Sequence, residues 1–129
     1  ESENNYHVFH LNCFPMADNA YKVYYIYEKG CEYVSIADKA AYIYKDGKLE
    51  KSNFDLPTPE FSEFITPEVE ANISALDVKE VRSRFNELIL YTIDLDTLQV
   101  SFNTLGSDAL MMGMKMPRFT WNGAEFVAQ

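Results

Sequence analysis

Residues 20–36, AYKVYYIYEKGCEYVSI, hold two runs of tyrosine and β-branched residues that meet at a Lys29-Gly30 turn. In the first run the side chains alternate with a period of two, which is the period of a strand and not of a helix. The stretch therefore predicts a β-hairpin in the middle of a sheet. If the core takes Tyr21, Val23, Tyr25 and Tyr27, then Lys22, Tyr24 and Ile26 lie on the opposite face; the alternative, which we favour, is that both faces of the sheet are covered.

Further strands are predicted next to this hairpin, whose own strands cover residues 20–28 and 31–36. Residues 6–14 mix apolar side chains onto both faces until Pro15 ends the run, as expected of a covered strand. After a break at residues 37–39, residues 41–45 and 48–51 flank Asp46-Gly47, a pair typical of a type I′ hairpin turn. The first part of the chain is therefore predicted to be a meander of about five strands.

The middle of the chain changes character after Ser52 and contains two Thr-Pro pairs, at residues 58–59 and 66–67. A threonine cap followed by proline at the first helical position is a common helix start. Residues 59–64 therefore predict one short helical turn, and apolar residues at helical spacing predict a helix over residues 67–76. Residues 78–84 fit either a weak helix or a loop.

Strand patterns return in the last third of the chain. Residues 88–95 are apolar and β-rich, Asp96-Thr97 predicts a turn, and residues 98–103 alternate with a period of two. A terminal hairpin is predicted from residues 118–121 and 124–128 on either side of Asn122-Gly123. Residues 109–116 are predicted to be a strand, with one face formed by Leu110, Met112, Met114 and Met116.

The order of strands, short helices and strands predicts an α+β fold that is mainly β. We expect antiparallel meander sheets of about eight or nine strands with one or two short helices in the middle. At 129 residues the chain fits one domain, predicted over residues 6–129, after a flexible polar tether at residues 1–5. Nine tyrosines, nine phenylalanines and one tryptophan agree with this class, because aromatic side chains fit half-buried sheet surfaces.

Charge and motifs exclude several functions. Twenty acidic and eleven basic residues give a net charge of −9, which repels phosphate backbones and anionic lipids, so neither nucleic acid nor membrane insertion of the folded domain is expected. His7, His10 and Cys13 are three residues apart, but on a strand this spacing alternates between faces, so no metal site is predicted. The chain has no recognisable nucleophile motif or phosphate-binding glycine loop, so no catalytic residue and no cofactor are assigned.

The two cysteines have two interpretations. Cys13 and Cys31 either form one disulfide in an oxidising compartment or remain two buried thiols that act as small hydrophobic side chains. The methionines of residues 109–116 are likewise either an adaptable contact surface or core filler, and we expect core.

Aromatic side chains are the one binding resource that the sequence offers. We predict Tyr24, Tyr27 and Trp121 as contact residues for a protein or glycan partner, because exposed rings stack on sugars and anchor protein interfaces. The alternative is that these rings belong to the core.

Four segments resemble a loosely defined group of small secreted or lipid-anchored proteins from gut Bacteroidetes. They are YKDGKL at residues 44–49, Leu56-Pro57, YTIDL at residues 91–95 and FTWNGAEF at residues 119–126. The resemblance implies an exported protein, periplasmic or at the cell surface, which a lipidated cysteine anchors in the full-length form. It also implies that Asp96-Thr97-Leu98 is an O-glycosylation acceptor, and it assigns no catalytic residue.

We therefore expect an uncharacterised secreted or envelope-associated module that binds or supports a macromolecule and is not an enzyme. One alternative is a small hydrolase with paired carboxylates, because any two of the twenty acids could lie together. The other is a periplasmic inhibitor whose acidic surface docks on a cationic enzyme such as a lysozyme.

Overall fold

The computed structural model describes residues 6–30 and 34–129, and over these residues the fold is α+β and mainly β. The predicted class is confirmed, but the eight strands form two separate four-stranded antiparallel sheets and not one meander of eight or nine. Within each sheet the strands lie in chain order. The first sheet contains β1 (Tyr6–Pro15), β2 (Tyr21–Gly30), β3 (Val34–Lys45) and β4 (Lys48–Ser52), and the second contains β5 (Ile89–Asp94), β6 (Thr97–Phe102), β7 (Arg118–Trp121) and β8 (Phe126–Ala128).

The predicted break at residues 37–39 is wrong, because β3 runs through it as one strand. In place of a break, β3 forms a β-bulge against β2, and the pairing register shifts between Tyr27 and Glu28. The first sheet therefore has four strands, not five. The turn after β3 is as predicted: Asp46 and Gly47 both have positive φ, 52° and 77°, as a type I′ turn requires.

The described residues form five short helices, more than the one or two predicted: α1 (Phe61–Phe64), α2 (Pro67–Glu70), α3 (Ala75–Ser83), α4 (Phe85–Leu88) and α5 (Asp108–Gly113). Thr66 caps α2 as predicted, and its side chain accepts a hydrogen bond from the Val69 amide. Thr58 does not cap α1, because Glu60 and Glu63 form a reciprocal capping box there. The predicted helix over residues 67–76 is divided between α2 and α3.

The predicted methionine strand at residues 109–116 is wrong, because this segment begins with the helix α5. Ser107 caps that helix by accepting a hydrogen bond from the Leu110 amide, and Asp108 favours its first turn electrostatically. Leu110 is fully buried, whereas Met111 and Met112 are exposed. The four side chains of the predicted apolar face therefore do not share one face.

Two turns differ in detail from the sequence prediction. The β5–β6 turn lies at residues 95–96 and not at Asp96-Thr97, and Leu95 adopts a positive φ of 56° there. The last hairpin turns over residues 122–125, because the Asn122 side chain accepts hydrogen bonds from the amides of Ala124 and Glu125. A polar side chain that binds the backbone thus lengthens the predicted two-residue turn.

The core lies on the face of the first sheet that carries Tyr24 and Ile26. These two residues of β2 are buried in one cluster with side chains from β5, β6 and β8. Tyr21, Val23, Tyr25 and Tyr27 lie on the opposite face, so the arrangement in which these four residues form the core is wrong. None of the helices within the described residues is long and apolar enough to cross a membrane.

Candidate functional site

The face of the first sheet directed away from the core carries a group of tyrosines. It contains Tyr21, Tyr25, Tyr42 and Tyr44, flanked by Leu11 on one side and Leu49 on the other. We call this group of six residues the tyrosine face. It surrounds a concavity of about 670 Å³, and none of the side chains that line the concavity carries a formal charge.

Strand register brings the tyrosine face together. Tyr21 of β2 lies directly opposite Tyr44 of β3, and Val23 lies opposite Tyr42. On the far side of β3, Tyr44 lies opposite Leu49 of β4. Because side chains two residues apart on a strand share a face, residues from four strands converge on one surface.

Two of the four tyrosines are exposed, Tyr21 at 45% and Tyr44 at 44%, and Tyr25 and Tyr42 are partly buried. Val23, which lies between Tyr21 and Tyr25 along β2, is buried on this face. Tyrosine supplies a large rigid contact area at a small cost in side-chain entropy, and tyrosine is enriched at protein interfaces. A contiguous exposed patch of this kind is typical of an interaction surface.

An aromatic stack continues the same face toward the other end of β1 and β2. The rings of Phe9 and Tyr27 lie 4.5 Å apart and nearly parallel, and Tyr25 and His7 extend the stack at centroid distances of 6.3 Å and 6.0 Å. The Tyr27 hydroxyl also lies 2.7 Å from His7 Nδ1. Because these rings cover one another's faces, they offer few free ring faces to a sugar.

Tyr25 belongs to both the tyrosine face and the aromatic stack. Desolvation by the surrounding side chains is the main cause that raises the pKa of Tyr25 above its ordinary value, and the negative charge of Asp38 is the second. The phenol therefore remains neutral and can donate a hydrogen bond at neutral pH.

The three predicted contact residues lie in different environments in the structure. Tyr27 lies on the outer face, in the aromatic stack. Tyr24 lies in the core and is only 1% exposed, so its ring offers no surface to a partner. Its hydroxyl donates a 2.6 Å hydrogen bond to Asp55, and burial, followed by this bond, raises the pKa of Tyr24 far above its ordinary value.

Trp121 closes one end of the core. Its ring packs against Phe14 and Phe126, and its Nε1 donates a 2.7 Å hydrogen bond to the carbonyl oxygen of Pro15. The ring is half-buried, and the indole donor is already used within the protein. Trp121 therefore joins the second sheet to the end of β1.

The cysteine and histidine predictions concern β1. Cys13 has an exposed thiol on the outer face, opposite Val23, so the alternative of two buried thiols is wrong for Cys13. Cys31 lies outside the described residues, so the disulfide alternative stays open. His7 lies on the outer face with Tyr27, and His10 lies on the inner face, 3.2 Å from Glu28. No three metal-binding side chains are grouped among residues 6–30 and 34–129.

Two other cavities contain pairs of carboxyl-bearing residues. Asp38 and Glu87 line a cavity of about 220 Å³, and Asp77 and Glu80 line one of about 110 Å³. Both are smaller than the roughly 300 Å³ at which ligand pockets usually begin. These cavities give a paired-carboxylate hydrolase no support.

No protein-family model, curated protein or solved structure matches the chain. The resemblance to Bacteroidetes proteins and the export that it implies therefore stay predictions.

Sequence reasoning missed Tyr21, Tyr42 and Tyr44 as surface residues. The signal was present in the alternation of tyrosines at residues 42 and 44, which repeats that of the neighbouring strand. The register that joins the two strands was needed to recognise one surface.

Proposed function

We propose that this protein is a non-enzymatic binding module that holds a protein partner against the tyrosine face. The observation that carries the proposal is the pair Tyr21 and Tyr44, which lie opposite each other and are nearly half exposed at the rim of an uncharged concavity. A concave apolar surface with tyrosines at its rim suits aliphatic and aromatic side chains.

A protein partner is favoured over a glycan for two reasons. Glycan sites pair a free ring face with polar groups that bind the sugar hydroxyls, whereas this concavity is lined by Leu11, Val23, Leu49 and tyrosine rings. The adjoining rings of Phe9 and Tyr27 already stack on each other. Tyrosine hydroxyls provide hydrogen bonds at the rim of such an interface.

A location at the cell envelope is a second part of the proposal, and it rests on the resemblance at the hairpins. The inhibitor version rests on the net charge of −9 alone, because the lining of the tyrosine face includes no carboxylate.

The experiment selects peptides from a random display library on the immobilised protein and measures their affinity by fluorescence polarisation. The test variant is Tyr21→Ser/Tyr44→Ser. The control is Tyr6→Ser, which removes a tyrosine of similar exposure, 42%, from the other face of the sheet. Circular dichroism and urea denaturation confirm that each variant is folded.

We expect the selected peptides to be rich in aliphatic and aromatic residues. The double variant should weaken binding about tenfold or more, since truncation of an interface tyrosine commonly costs over 1 kcal/mol. The control should change affinity less than about twofold. Peptides that bind the double variant as tightly as the unaltered protein would contradict the proposal. So would retardation of the protein by soluble polysaccharides in affinity electrophoresis if the double variant abolished it, because the partner would then be a glycan.

A further inference from the structure

The backbone of β1 has one hydrogen-bonding side without a partner. Within the described residues, β1 pairs only with β2 and forms an edge of the first sheet. The Met16 amide donates to the Ala20 carbonyl just beyond these strands. Since hydrogen-bonded and non-hydrogen-bonded pairs alternate in an antiparallel ladder, the even-numbered residues of β1 bond to β2 and the odd-numbered residues direct their backbone groups outward.

The position of Pro15 agrees with this alternation. Proline has no amide to donate, so it fits an outward-directed position on an edge strand. Its carbonyl oxygen is directed away from β2 and accepts the hydrogen bond from Trp121. The free part of the edge therefore comprises the backbone groups of His7, Phe9, Leu11 and Cys13.

Between His7 and Cys13 this edge lacks the charged side chains by which proteins usually prevent edge pairing. β1 contains no Asp, Glu, Lys or Arg in ten residues, although the chain carries a net charge of −9. The opposite edge, β4, carries Lys48, Glu50 and Lys51 in five residues. Charged side chains, especially lysine, are a common protection of sheet edges against another strand.

Exposed apolar side chains lie along the same edge. Phe9 is 66% exposed and Leu11 is 68% exposed, and both are directed to the outer face. In an antiparallel pair of identical strands centred on residue 10, Phe9 of one copy lies opposite Leu11 of the other, and His7 lies opposite Cys13. All four outward-directed residues are then hydrogen-bonded, which gives about eight backbone bonds.

We propose that two copies of this chain pair through β1, antiparallel and centred on His10. A second copy is the occupant that the symmetry of the edge favours, because the pairing centred on residue 10 hydrogen-bonds all four free positions of both strands at once. The contact also brings no Asp, Glu, Lys or Arg of β1 opposite its equivalent, although each chain carries a net charge of −9. The pairing joins two four-stranded sheets into one of eight strands. The two tyrosine faces then lie on the same side of the joined sheet, because the twofold axis is perpendicular to it.

The mass in solution tests the pairing. Light scattering on a size-exclusion column, over a range of protein concentrations, should show a species of twice 14.9 kDa. Leu11→Lys places charge in the interface and should raise the dimer dissociation constant at least about tenfold. The matched control is Leu49→Lys, which changes an exposed leucine of the same outer face at the β4 edge and should leave the constant nearly unchanged.

Cross-linking tests the register. Directly opposite residues at a non-hydrogen-bonded position have Cα atoms about 4.5 Å apart, within the range for a disulfide. In a Cys13→Ser/Cys31→Ser background, His10→Cys should therefore form a covalent dimer under mild oxidation. Phe9→Cys should not, since its Cα atoms would be about 8 Å apart. A mass of 14.9 kDa at every concentration, equal weakening by Leu11→Lys and Leu49→Lys, or cross-linking through Phe9→Cys in place of His10→Cys would overturn the proposal.

Discussion

The assignment of faces in the first sheet makes a direct prediction about Tyr24→Phe. The Tyr24 hydroxyl donates a 2.6 Å hydrogen bond to Asp55, and Lys22 Nζ lies 3.4 Å from the other carboxylate oxygen of the same residue. A hydrogen bond to a charged group contributes about 1.5–3 kcal/mol. Since the Asp55 side chain is partly exposed and water can replace the phenol, the low end applies. We expect Tyr24→Phe to lower the free energy of unfolding by about 1.5 kcal/mol and the melting temperature by about 5 °C.

Tyr91→Phe is the matched control for Tyr24→Phe, because Tyr91 is also buried but, within the described residues, its hydroxyl has only the neutral Thr58, at 3.4 Å, as a partner. Its loss should cost about 0.5 kcal/mol. Urea denaturation followed by circular dichroism measures both values, provided that the slope is unchanged. In an Asp55→Ala background, Tyr24→Phe should cost less than half of its single value. If Tyr24→Phe cost no more than Tyr91→Phe, or cost the same with and without Asp55, the hydrogen bond between Tyr24 and Asp55 would be refuted.

Three further predictions concern pH, backbone strain and packing. Because the pKa of Tyr24 is raised in the fold, its neutral phenol stabilises the protein fully below the unfolded pKa of about 10, and this contribution is lost progressively as pH rises above that value. Urea titrations between about pH 9 and pH 11 should therefore show a steeper fall in stability for the unaltered protein than for Tyr24→Phe, by up to about 1.4 kcal/mol per pH unit. Leu95→Gly should raise stability by about 0.5–1 kcal/mol, since Leu95 is 88% exposed and has a φ of 56°, whereas Leu49→Gly, within a strand, should lower stability. Gly113→Ala should destabilise by about 1–3 kcal/mol, because the added Cβ would lie 2.5 Å from Val69 Cγ1. In thermal denaturation, Gly113→Ala should cost less in a Val69→Ala background than in the unaltered protein, and additive losses would contradict the contact.

The local structure was largely predictable where backbone chemistry decides it. Asp46-Gly47 specifies its turn because both residues tolerate positive φ, and Thr66-Pro67 specifies the start of a helix. The alternation of side chains in residues 20–28 also predicted a strand. These features depend on neighbours in sequence, so one sequence suffices to find them.

The faces of the first sheet were not predictable in this way. The alternation shows which side chains share a face, but it does not show which face is buried. Lys22 and Glu28 are both buried on the core face, Lys22 beside Asp55 and Glu28 beside His10. Buried charges are tolerated only with partners, and Asp55 lies 33 residues from Lys22 along the chain. Local patterning therefore does not identify the core face.

For the candidate site, the sequence indicated the type of side chain but not which residues form the surface. Aromatic side chains were considered as the binding resource, but Tyr24 is in the core and Trp121 is half-buried at its end. Tyr21 and Tyr44 become neighbours only through the pairing of β2 with β3. A surface assembled by register is not visible as a motif.

Hydroxyl-radical footprinting, with and without a selected peptide, tests the tyrosine face most directly. In the free protein, Tyr21 and Tyr44 should be oxidised readily and Tyr24 should be spared. Added peptide should protect Tyr21 and Tyr44 and leave Tyr6 unchanged. Oxidation of Tyr24 as fast as Tyr21, or protection of Tyr6 without protection of Tyr21 and Tyr44, would contradict the account.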